Sequence, residues 1–91
     1  MEHAPHNYVG AVIRKLRNEK NLTQGMLAAR CGVAGYEISR GTLAKIEAGI
    51  RGVADIELFV IAEALSVKIE DLFPPRFKAR LKSGEFASKE E

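Results

Sequence analysis

The stretch LTQGMLAARCGVAGYEISRGTLAKIEAG, residues 22–49, writes one helix-opening signal twice. Leu22-Thr23 is followed by Leu27, and Ile38-Ser39 by Leu43, so each half offers an apolar residue, a hydroxyl N-cap and a second apolar residue one turn into the helix. The hydroxyl satisfies a backbone N–H that a helix start leaves open, and the apolar pair staples the incoming chain. Between the two starts stands Cys31-Gly32-Val33, where glycine can take the positive φ that ends the first helix and Val33 can fold back beneath it. Gly49, behind Leu43 and Ile46, closes the second. The reading is two short helices meeting at a turn.

Working outward, Asn7 can cap a helix reaching about Lys20, with Val9, Val12, Ile13 and Leu16 as its apolar stripe and Asn21 at its end. The two central helices span about Gln24 to Cys31 and Arg40 to Ala48. The first buries Met26 or Leu27, Ala28 and Cys31; the second turns Leu43 and Ile46 inward and leaves Arg40, Gly41, Ala44 and Lys45 outward. After the loop Ile50-Arg51-Gly52-Val53, Asp55 caps a fourth helix from Ile56 to about Leu65. Its apolar residues run round much of its circumference, so it needs cover on more than one side. A short fifth helix, about Ile69 to Phe73, is stopped by Pro74-Pro75. Residues 76–91 read as a charged, mostly solvated tail, in which Phe77 and Leu81 could share one helical face.

Composition narrows the function. Ninety-one residues make one domain, and no stretch approaches the ~20 apolar residues of a membrane span. Met1 to Tyr8 lacks the apolar core of a signal peptide, so a cytoplasmic protein is expected. The single cysteine, Cys31, reads as a small buried thiol, and His3 and His6 have no ligand partners at metal spacing. No cofactor is expected. No serine has an adjacent base and no glycine pattern makes a phosphate loop, so an enzyme is not expected either.

The net charge of +2 is small but unevenly spread. Up to Gly52, Arg14, Lys15, Arg17, Lys20, Arg30, Arg40, Lys45 and Arg51 face only Glu2, Glu19, Glu37 and Glu47. From Val53 to Phe73, Asp55, Glu57, Glu63, Glu70 and Asp71 face only Lys68. A basic half behind which the sign reverses suits a module that turns one face to a polyanion.

The motifs Val9-Gly10, Ile13-Arg14, Leu16-Arg17, Thr23-Gln24, Leu27-Ala28, Gly32-Val33, Ile46-Glu47-Ala48-Gly49, Ile61-Ala62-Glu63-Ala64-Leu65, Val67 and Asp71-Leu72-Phe73 occur in one order. Together they resemble the Cro/repressor-type, XRE-like helix-turn-helix family of bacterial and phage DNA-binding proteins. The resemblance implies an all-α, five-helix lambda-repressor-like domain over residues 1–75. Two positions depart from the family pattern. Gly25 stands where an acidic or polar helix former is usual, and Ala34 to Ile38 lengthen the turn, at little cost in loop closure. Tyr36 in that turn either packs over it or reaches a phosphate.

DNA reading needs a helix that presents its N-terminal residues to base edges while neighbouring donors fix it to phosphates. Arg40 and Lys45 can each donate to guanine O6 and N7, and Gly41 either lets the backbone approach a base closely or is a packing glycine. The resemblance adds Gln24 as a phosphate contact that braces the recognition helix, Thr42 at phosphate or base, and Arg51 in a loop that touches the backbone. It also matches Arg17 and Glu47 to a structural ion pair. With the helix-start hydroxyls, the expected DNA-contacting set is Thr23, Gln24, Ser39, Arg40, Gly41, Thr42, Lys45 and Arg51. The expected function is sequence-specific binding of double-stranded DNA as a transcriptional regulator, a repressor, in homodimeric form. Ile69, Leu72 and Phe73 are the first candidates for the dimer contact. The alternatives are an antitoxin whose tail holds a toxin and which represses its own operon, or a protein-interaction module that kept the fold.

Overall fold

The computed structural model describes residues 6–84, which form five α-helices and one 3-10 turn and contain no strand. The helices are α1 (Gly10–Glu19), α2 (Gln24–Ala34), α3 (Arg40–Glu47), α4 (Asp55–Leu65) and α5 (Arg76–Lys82). His3, and the tail beyond residue 84, lie outside the described residues.

One side chain sets where α1 begins. The Asn7 carboxamide oxygen accepts from the N–H groups of Val9 at 3.0 Å and Gly10 at 2.7 Å, the capping role its sequence position predicts. Its nitrogen donates to the carbonyls of Ile46 at 3.0 Å and Arg51 at 2.8 Å. The start of α1 is thereby tied to the end of α3 and the loop that follows. Gly10 permits the approach, because a Cβ there would collide with the Ile46 carbonyl oxygen. At its other end α1 stops at Asn21, with φ 58°.

Both central helices open as the sequence predicts. The Thr23 hydroxyl accepts from the Met26 N–H and the Ser39 hydroxyl from the Thr42 N–H, each at 3.0 Å, and the staple residues Leu22, Leu27, Ile38 and Leu43 are all buried. The turn between them is corrected. Gly32 stays helical, α2 runs on to Ala34, and the positive φ, 114°, falls at Gly35. The Gly35 N–H bonds the carbonyls of Cys31 and Gly32, and the Tyr36 N–H also reaches Cys31. Val33 is 90% exposed instead of folding back; Ile38, from the far side of the turn, is the apolar residue that is buried. The inserted residues give α2 extra length before the glycine that ends it.

Behind this pair, α2 packs chiefly on α4, and α3 packs on α1 and α2. Asp55 is the first residue of α4 and not its cap; Ala54 holds the cap position, and the Glu57 carboxylate accepts the Ala54 N–H at 2.9 Å. Val60, Ile61, Ala62, Ala64 and Leu65 are buried, whereas Ile56 and Phe59 face outward. Ile13, Leu27, Cys31, Leu43, Ile46, Ile61, Leu65 and Leu72 make the fully buried centre. The Cys31 thiol is free there, and burial raises its pKa.

The expected fifth helix is a single 3-10 turn, Ile69–Leu72, and Leu72 is fully buried, which removes it from the candidate dimer surface. Past Pro74-Pro75 the segment read as solvated tail is helical over α5. The Phe77 ring lies 5.3 Å from Tyr8 and 5.9 Å from Phe73, and Lys78 pairs with Glu70 at 3.2 Å. The ring contact with Tyr8 joins opposite ends of the described chain, so no local pattern announces it. Among the described residues no helix is long and apolar enough to cross a membrane.

Candidate nucleic-acid interface

The outward face of α3 is built by the periodicity of the helix. At about 100° per residue, Arg40, Ala44, Gly41 and Lys45 fall in that order across an arc of about 140°. Leu43, Ile46 and Glu47 are buried on the other side. Two cations thus flank a strip floored by a methyl group and a hydrogen. Arg40 and Lys45 are exposed, and among the described residues neither forms a hydrogen bond or an ion pair. At Gly41 an added Cβ would meet nothing closer than the Ser39 hydroxyl at 4.0 Å. No packing demand within the chain requires glycine at that position.

Helix N-termini and hydroxyls border the strip. Neither α2 nor α3 has an acidic residue in its first turn, while α4 has Asp55 and Glu57. The positive ends of both motif helices therefore have no acidic side chain of their own first turn to meet them. Ser39 donates its hydroxyl proton to the Thr42 hydroxyl at 3.1 Å, so Thr42, accepting here, keeps its own proton to give. A shallow groove between α2 and α3, lined by Gly25, Ala28, Gly32, Ile38, Ser39 and Thr42, adjoins this edge.

Glu47 anchors α3 from beneath. Its side chain is fully buried and takes Arg17 Nε at 2.7 Å and Nη2 at 2.9 Å, while Arg17 Nη1 donates to the Leu22 carbonyl at 2.7 Å. The charge-assisted bond to Glu47 raises the Arg17 pKa. Gln24 Nε2 donates to Glu47 Oε1 at 3.1 Å, and Arg14 Nε lies 3.8 Å from the same oxygen. Gln24 thus braces the last residue of α3, not its start.

Arg51 is engaged within the chain. Its Nη1 and Nη2 each donate to Glu57 at 2.9 Å, and Nη1 also reaches the Gly52 carbonyl at 2.8 Å. The bond from Arg51 is the largest cause that lowers the Glu57 pKa. Tyr36 is 40% exposed.

A family model described as helix-turn-helix matches residues 13–72, a span that contains α2, α3 and all the anchoring residues except Asn7 and Gly10. The chain belongs to the XRE-type helix-turn-helix family. The restriction-modification controller protein C.AhdI from Aeromonas hydrophila is 31% identical, with a TM-score of 0.64 over 71% of this chain and 87% of that one. The transcription factor NHTF from Neisseria, called hypothetical, is 24% identical, with a TM-score of 0.69 over 86% of this chain and 85% of that one. The clp gene regulator ClgR from C. glutamicum is 21% identical, with a TM-score of 0.65 over 98% of this chain and 100% of that one. The last two likenesses bear on the fold alone. Among curated proteins, none matches the sequence.

In this XRE-type domain the sequence-predicted residues fall into two groups. Thr23, Ser39, Arg40, Gly41, Thr42 and Lys45 lie on or beside the outward edge of α3, with Gln24 behind them on Glu47. Arg51 lines the same groove as Ser39 and Thr42 but is held there by Glu57. Three structural roles lie beyond what the sequence analysis assigns: the Asn7 bonds to the end of α3, the close approach at Gly10 and the Glu57 bonds to Arg51 and Ala54. The spacing of Glu57 three residues after Ala54 is the one local signal that could have revealed its capping bond.

Proposed function

We propose that the protein is a sequence-specific, duplex-DNA-binding transcriptional regulator, a repressor, that places α3 of each subunit of a homodimer in the major groove. The observation that carries this reading is the pair Arg40 and Lys45, exposed and without a partner among the described residues, on either side of the small-residue strip of Gly41 and Ala44. Both can give paired donors to guanine O6 and N7. Thr23, Gln24, Ser39 and Thr42, with the N-termini of α2 and α3, serve the phosphates. Arg51 is a weaker phosphate contact than its charge suggests, because a phosphate would have to compete with Glu57.

Two copies are needed on specificity grounds, since one α3 reads too few base pairs to select a site, whereas two read half-sites ~34 Å apart. Ile56 and Phe59, three apart on α4 and 42% and 52% exposed, support a contact there, with Ile69 at 40% opening the 3-10 turn. The antitoxin alternative is less favoured, because Phe77 of the tail is already occupied by Tyr8 and Phe73. A protein-interaction module would not need two unpaired cations on α3. Selection of bound fragments from random duplex DNA tests the proposal: a recovered inverted repeat with guanines in each half-site supports it, and recovery of unrelated sequences overturns it.

A further inference from the structure

Gly25 is costly where it stands. Glycine in a helix is less favourable than alanine, and the first turn is where an acidic side chain would gain from the helix dipole. Its neighbour supplies a reason for the missing carboxylate. A Cβ built on Gly25 would lie 3.8 Å from Cδ of Arg40, so the Arg40 stem passes directly over this bare turn of α2. The contact distance is ordinary for one methyl group, and the further atoms of a longer side chain would have the Arg40 stem as their immediate neighbour. A carboxylate there would also meet the guanidinium that now has no partner among the described residues. Its absence leaves Arg40 beside the positive end of α2, where an acceptor from outside the chain gains most.

We propose that Gly25 is a specificity-determining position: by keeping a long or acidic side chain off the first turn of α2, it leaves room for the stem of Arg40 and keeps its guanidinium free for a guanine edge. This rests on the reading of α3 as the base-reading helix. Gly25 is a positioning residue, acting through Arg40.

The test compares Gly25→Ala, Gly25→Gln and Gly25→Glu on a selected duplex and a scrambled one, each also in the Arg40→Ala background. Gly25→Ala should fold at least as well as the parent and keep its discrimination. Gly25→Glu should lose about tenfold in discrimination, the scale of one bidentate base contact, and Gly25→Gln clearly less. In the Arg40→Ala background the introduced carboxylate should cost no further discrimination, because the group it captures is gone. General repulsion of DNA would instead weaken both duplexes equally and persist without Arg40. Without DNA, a double-mutant cycle on thermal unfolding should show favourable coupling between the introduced carboxylate and Arg40. Equal losses for glutamine and glutamate, or a discrimination loss undiminished by Arg40→Ala, would overturn the proposal. If Arg40→Ala itself left discrimination intact, the failure would lie with the base-reading role of Arg40.

Discussion

Arg17 and Glu47 meet through two parallel hydrogen bonds, at 2.7 and 2.9 Å, with the carboxylate fully buried and the guanidinium side chain 11% exposed. The pair joins α1 to the end of α3, so it fixes the position of α3 from within the core. Glu47→Ala would leave Arg17 nearly buried without its counter-charge and should destabilise by about 3–5 kcal/mol. Chemical denaturation of the variant checks this. An unchanged midpoint would show that the pair contributes nothing.

Gly10→Ala should also be damaging, at roughly 2–3 kcal/mol, because the added methyl group collides with the Ile46 carbonyl, which a rotamer change cannot move aside. Gly41→Ala should be neutral or slightly stabilising, since its site is open. Thermal melts of the two variants separate a close approach of backbones from a glycine kept for another purpose.

The contrast between these glycines shows what the sequence could and could not convey. Helix starts at Thr23 and Ser39 were legible because capping is local: hydroxyl, staple residues and bonded N–H lie within a few positions. The end of α2 was misplaced because two glycines, Gly32 and Gly35, compete for the same role and only the packing of Ile38 decides between them. The Arg17–Glu47 pair came from family resemblance. The Asn7 bonds to Ile46 and Arg51, and the Arg51–Glu57 bond with which a phosphate would have to compete, follow from neither periodicity nor motif. They depend on how the loop after α3 folds back.

The Arg51–Glu57 pair gives the domain an acid-sensitive contact. Bonding from Arg51, with help from the Ala54 N–H, lowers the Glu57 pKa from 4.5, so the carboxylate binds a proton less readily folded than unfolded. Its contribution is therefore fully present above pH 4.5 and is lost as the pH falls through the folded value. Glu57→Gln should flatten the pH dependence of stability in that acid range. It should also release Arg51 to phosphate and steepen the slope of log K against log salt by up to about one unit. A salt slope identical to the parent's would show that Arg51 does not reach DNA even when unpaired.

Self-association should depend on the exposed face of α4. Phe59→Asp should shift sedimentation from dimer to monomer while leaving the circular-dichroism spectrum helical, because Phe59 is half-exposed and outside the core. A dimer that survives both Phe59→Asp and Ile56→Asp would place the contact elsewhere.

The central claim is that α3 reads bases, and its most direct measurement is the binding of Arg40→Ala and Lys45→Ala to a selected and a scrambled duplex at several salt concentrations. The account predicts that each variant loses about 1–3 kcal/mol on the selected duplex and much less on the scrambled one, because base contacts carry the discrimination. Equal losses on both duplexes would mean that these side chains only neutralise phosphates, and the claim that this helix reads sequence would be contradicted.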